Sequence, residues 1–200
     1  MMTQTHLLAA AAAFAKPGER ARNAGLVAGA VLPDAAIYVL FAYTKIADIP
    51  ERTLWRELYF EPWFQDWVAA GNAVLVWLAI LVAGFFLLRA PSLFRLGLFV
   101  FFLAAAALLH VALDFPVHHA DAHRHLWPIS DWRFRSPVSY WDPQHHGRTF
   151  RLVEAAFALV LVAILWRRFR VVWLRALLAL AALAYVAVPA YFLWQLGGAS

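Results

Sequence analysis

The sequence predicts an all-α membrane protein: a multi-pass transmembrane helical bundle of about five spans, with a short N-terminal helix and one interfacial helix. Three observations predict it. Of 200 residues, 64% are hydrophobic and only 14% charged, against roughly 45–50% and 25% in a soluble domain. The apolar residues come in runs close to the ~20 residues that a helix needs to cross about 30 Å of hydrocarbon. Basic residues cluster between those runs, where loop charges set membrane orientation. The same composition excludes intrinsic disorder. With no cysteine, disulfides, thiolate metal sites and cysteine nucleophiles are excluded too.

Each element follows in order. Residues 7–15 are apolar but too short to cross alone. Lys16 and Arg20 follow this run, the wrong order for a signal peptide. It reads as a retained short helix with His6 at its start and Thr3 or Thr5 as N-cap. The first full span is 24–44, interrupted at Pro33-Asp34. The segment 46–66, bordered by Trp67, mixes Trp55 and Trp63 with acids and bases, which suits a helix at headgroup level. Spans 68–88 and 94–114 are joined by Arg89-Ala90-Pro91-Ser92. A long polar stretch precedes the last pair, 150–166 and 171–195, separated by Arg167, Arg168 and Arg170. Arg175 is placed to snorkel toward an interface. All of this forms one membrane domain, 1–200.

The net charge of +5 raises nucleic acid as a partner, but only two of the 17 basic residues are lysine and they form no single patch. They report topology instead. One side collects Lys16, Arg20, Arg22, Arg89, Arg95, Arg167, Arg168 and Arg170, with Glu19 as its one acid. On the other side the basic residues are balanced by acids from Asp48 to Asp142. The first side is expected to be cytoplasmic and the second, with the loop 115–150, exoplasmic.

In that orientation the polar residues within spans gather toward the exoplasmic half: His6, Asp34, Asp66, Asn72, His110, Asp114 and Glu154. Ionisable groups at such depth are costly and usually line a functional cavity. For Asp34 the alternative is a hydrated groove beside the Pro33 kink. His110 and Asp114, four apart, share one helix face. Imidazole nitrogen and carboxylate oxygen both suit zinc; the alternative is a structural His–Asp pair. Asp114 makes a poor cap, since an anion at a helix C-terminus opposes the macrodipole.

Loop 115–150 holds six of the eight histidines: His118, His119, His123, His125, His145 and His146. Neutral imidazole is the commonest metal ligand, and Asp121, Asp131 and Asp142 are candidates to orient it. The spacing matches no strict zinc signature, so a solvated or pH-sensitive loop stands as the other reading. Arg124, Arg133 and Arg135, with Trp127, Trp132 and Trp141, suit an ordered loop at a lipid interface. There is no GxSxG, P-loop, HExxH or GxGxxG motif.

In four places the chain resembles the bacterial membrane-bound metal-dependent hydrolases, also described as LexA-binding inner-membrane-associated hydrolases. These are Thr5-His6-Leu7-Leu8, Leu32-Pro33-Asp34, the helix from His110 to Asp114, and Leu126-Trp127-Pro128 followed by Trp132-Arg133-Phe134. The resemblance implies a bacterial inner-membrane location and a metal set of His6, Asp34, His110 and Asp114. Two departures stand out. The family continues its PD motif with another acid and a histidine, where this chain has Ala35-Ala36-Ile37-Tyr38. It also carries an HRGxTHS motif on the next span; the counterpart here, residues 65–72, has no histidine.

The expectation is a zinc-like divalent metal held by His6, Asp34, His110 and Asp114, with His118, His119, His123 or His125 completing the set. Such a centre activates water for hydrolysis, with Glu154 or Asp121 as general base, and suits a lipid-borne ester or phosphoester. The membrane lipids are the expected partners, and no nucleic acid is. Two other readings share the residues: a non-enzymatic metal-binding or transport protein, and a degenerate family member acting as an assembly partner.

Overall fold

The computed structural model describes residues 1–197, and every regular element among them is helical. The elements are α1 (Thr3–Phe14), α2 (Arg20–Val31), α3 (Ala35–Ile46), α4 (Glu51–Arg56), α5 (Pro62–Asn72), α6 (Val74–Leu88), α7 (Phe94–Asp114), α8 (Gly147–Arg168) and α9 (Val172–Gly197). Five stretches are long and apolar enough to cross a membrane: Arg20–Ile46, Pro62–Leu88, Pro91–Val117, Gly147–Arg168 and Val172–Tyr191. Large apolar side chains stay exposed along them, among them Val82, Phe86, Val160 and Leu180. In a bilayer these faces meet lipid, and the chain is a multi-pass membrane protein.

Without a hydrophobic force between helices in lipid, close association depends on small residues at the seams. The central helix α7 packs along both α2 and α6. At Gly29 of α2 an added Cβ would lie 1.9 Å from the Leu103 carbonyl oxygen. Any larger residue there must push α2 off α7.

The first two spans are each broken once, and the breaks meet. Pro33 has no amide hydrogen to continue the α2 ladder, and a 3-10 turn, Leu32–Asp34, replaces it before α3. Ala73, extended at φ −75° and ψ 111°, separates α5 from α6. Exposed backbone polar groups are not tolerated in hydrocarbon, so such a break must find partners inside the protein. The Asn72 side chain donates to the carbonyls of Val68 (2.9 Å) and Pro33 (3.4 Å). The Trp77 indole donates to the Gly71 carbonyl, and the Val74 amide to the His125 carbonyl at 3.0 Å. Gly71 lets the two breaks touch: a Cβ there would meet the Pro33 oxygen at 2.9 Å.

Helix α1 is twelve residues long, about 18 Å, and stops short of a full crossing. It is fixed at both ends by α8. Arg168 donates to the Ala11 and Ala15 carbonyls, both at 3.1 Å, adding a charged donor at the helix end, where carbonyls run short of backbone partners. At the other end the Thr5 hydroxyl donates to Glu154 at 2.6 Å and lies 2.6 Å from the Tyr185 hydroxyl of α9.

Two expectations change. Neither threonine caps α1: the N-cap is Met2, with no side-chain bond, while Thr3 donates to Asp34 and Thr5 to Glu154. Carboxylates on neighbouring helices outcompete the local amides. The segment 46–66 is not one helix either. Pro50 and Pro62 start separate helices, α4 and α5, with a 3-10 turn, Leu58–Phe60, between them, and the second span begins at Pro62. Trp55, Trp63 and Trp67 stay exposed there.

Candidate metal centre

His110 and Asp114 lie one turn apart at the end of α7, both buried. The last carbonyls of α2 lack helical partners, and one of them, Ala30, lies 2.8 Å from His110 Nδ1. A carbonyl only accepts, so Nδ1 carries the ring proton and donates. Nε2 therefore points the other way, 3.1 Å from Asp114 Oδ2 and 3.5 Å from Asp34 Oδ1. His6 stacks on His110 with ring centres 3.6 Å apart and planes 10° from parallel. Its Nε2 is 3.0 Å from Asp114 Oδ1. Asp34 reaches this point because the Pro33 break turns it inward. It accepts from the Thr3 hydroxyl, which in turn accepts from Tyr38 at 2.7 Å. The Met1 ammonium also lies against Asp114.

The loop adds to the same place. His118 is held from behind by Asp121, Nδ1 to Oδ2 at 2.9 Å, and Trp141 donates to that oxygen at 3.0 Å. His118 Nε2 faces forward, 3.5 Å from Asp114 Oδ2. The His123 ring lies 4.5 Å from the His118 ring. Two triads result, His6–His110–Asp114 and Asp114–His118–His123, each with one ligand atom per residue within 4.8 Å of the others. Of the expected residues, His6, Asp34, His110, Asp114, His118 and His123 thus converge.

The others lie elsewhere. His125 sets Nδ1 3.3 Å from the Asn72 carbonyl, beside the Ala73 break. His119 donates to the Ser136 carbonyl at 2.7 Å and stacks on His145, 3.7 Å between centres. His145 pairs with Asp142 at 2.8 Å, and His146 is exposed. Glu154 is buried, its Oε1 occupied by the Thr5 hydroxyl and the Met2 amide. Asp121 faces the cavity with Oδ1 buried and without a hydrogen-bond partner.

Electrostatics divide the loop histidines. Burial opposes charge on His118, but Asp114 and Asp121 outweigh it and raise it to about 9. Burial, reinforced by His118, pushes His123 down to about 3. Asp121 is disfavoured as an anion by burial, yet His118 holds it down at about 2.

These residues fit a divalent cation on one observation. His6 Nδ1 and Nε2, His110 Nε2 and His118 Nε2 are all buried without a hydrogen-bond partner, although three of these nitrogens lie 3.0–3.5 Å from carboxylate oxygens. Buried polar groups normally find partners. Ring nitrogens converging with carboxylates off hydrogen-bonding geometry offer donors of the kinds that a nitrogen–oxygen metal site uses. The site borders a cavity of about 560 Å³ lined by Asp34, Asp114, His118 and Asp121, with aromatic walls from Tyr38, Trp55, Tyr59, Tyr140 and Trp141.

Sequence reasoning missed the partners that aim these groups: the Ala30 carbonyl, the Thr3–Tyr38 pair and Tyr185. A backbone carbonyl leaves no trace in residue identity, and a threonine at a helix start reads as a cap. No family model, curated protein or solved structure matches the chain.

Proposed function

We propose that this protein is a membrane-embedded, metal-dependent hydrolase, acting on an ester or phosphoester borne by a lipid. The orientation of His110 carries the reading: its proton is committed to Ala30, and its other nitrogen faces Asp34 and Asp114. His6, Asp34, His110 and Asp114 would hold a zinc-like ion. Such an ion, when bound, polarises a carbonyl or phosphoryl oxygen and acidifies water.

The chain's own groups supply the rest. Asp121 lines the cavity and its Oδ1 accepts no hydrogen bond, so it would be the group to take a proton from attacking water. With His118 neutral, the charge that holds Asp121 down is removed, and it becomes a better base. The aromatic walls suit an acyl or prenyl chain entering beside a polar head. The arginine distribution supports an orientation with loop 115–150 exoplasmic, and the motif resemblance supports a bacterial inner-membrane location and the same family and site.

The test uses purified protein in detergent, loaded with zinc, against a panel of lipid esters and lipid phosphoesters. Hydrolysis should vanish with chelator, return with zinc, and be lost in His110→Ala and Asp34→Asn. X-ray absorption showing the ion closed by four protein side chains, with no exchangeable position, would sink the hydrolase and leave a metal-binding protein.

A further inference from the structure

We infer that the chain builds two cation sites sharing one carboxylate, with Asp114 bridging a site of His6, His110 and Asp34 and a second site of His118 and His123. This rests on the metal-binding part of the reading above and adds a second divalent ion to it.

Three observations carry it. The first is number. With a water in an open position, His6, Asp34, His110 and Asp114 already bring one zinc to five ligands, the most it takes during hydrolysis. His118 and His123 are two more than one such ion accepts, yet both are buried and close to Asp114.

The second is geometry. The two triads meet only at Asp114, and that carboxylate uses both oxygens: Oδ1 faces His6 at 3.0 Å, while Oδ2 faces His110 at 3.1 Å and His118 at 3.5 Å. A carboxylate approached by imidazoles from two directions can bridge two ions.

The third is support. Each triad has a ring held from behind by its own acceptor, His110 by the Ala30 carbonyl and His118 by Asp121. Such outer partners fix the tautomer and orientation of ligating histidines. His118 and His110 are built alike, each with Nδ1 engaged and Nε2 buried without a hydrogen-bond partner.

The full chain in detergent, stripped with chelator and reloaded with Mn(II), tests this through metal content and electron paramagnetic resonance. The expected result is two Mn(II) per chain with an exchange-coupled spectrum. His123→Ala and His110→Ala should each retain one ion with an isolated-ion signal. Where a variant does not fold, the count and coupling of the native protein decide. One ion per chain, lost in His110→Ala and kept in His123→Ala, overturns the second site and leaves the hydrolase reading standing. Two ions without coupling overturn the bridge. No ion retained overturns both proposals.

Discussion

The protein carries two histidine–carboxylate groups of opposite character. Around Asp114 the rings are buried, and His6, His110 and His118 each aim Nε2 at a carboxylate without forming a hydrogen bond there. Around Asp142 the half-buried His145 makes an ordinary pair at 2.8 Å, and its stacked neighbour His119 donates to a backbone carbonyl. Both groups come from the same vocabulary of residues. The outer one is complete as a hydrogen-bonded surface cluster; the inner one keeps buried ring nitrogens without hydrogen-bond partners, although the Met1 ammonium lies on Asp114. Orientation and burial, more than the number of histidines, separate a site from a solvated loop.

The largest effect should come from exchanging the two central acids. Asp114→Asn should lower divalent-metal affinity beyond the ~10–100-fold typical of losing an outer partner, read by competitive chelation. Asp142→Asn should leave it unchanged. Equal losses would erase the distinction between the groups.

Asp121→Asn probes the inner group from behind. It removes the acceptor that holds His118 and should weaken binding by about 10–100-fold, in the same chelation assay. An unchanged affinity would show that His118 needs no such support.

Acidity sharpens the contrast. His118, raised to about 9 in the folded chain, contributes stability that is present below its ordinary value near 6.5 and lost as pH rises through about 9. Metal-free protein should therefore melt at lower temperature at the alkaline end of that range, and His118→Gln should flatten the trend. Excess zinc should reverse it, because a ligating imidazole must be unprotonated. The same slope with and without zinc would count against ligation by His118.

The smallest effect belongs to the outer pair. His145→Ala should change unfolding free energy by no more than about 0.5 kcal/mol, as for an ordinary surface position, with metal content untouched.

Much of the fold and part of the site are legible in the order of residues alone. Scarcity of charge exposes the spans, and scarcity within the spans exposes Asp34, His110 and Asp114, since a charged group in hydrocarbon needs a reason to be there. Helical spacing puts the last two on one face. The loop is different. Nothing in its spacing separates His118 and His123 from His119 and His125, because irregular backbone carries no period that maps sequence onto direction. Thr3 and Thr5 mislead for a related reason: a cap is a local bond, and their partners, Asp34 and Glu154, lie on other helices.

The bond from the Val74 amide to the His125 carbonyl has a consequence in time. A chain made at roughly 5–20 residues per second delivers His125 several seconds after Val74, about fifty residues later. Through that interval the start of α6 lacks the acceptor it uses in the finished protein. The second span can enter the bilayer early, but its junction with α5 settles only when the loop arrives. That loop also delivers His118 and His123, so the α5–α6 junction and the last candidate ligands can both be put in place only after residues 118–125 have been made.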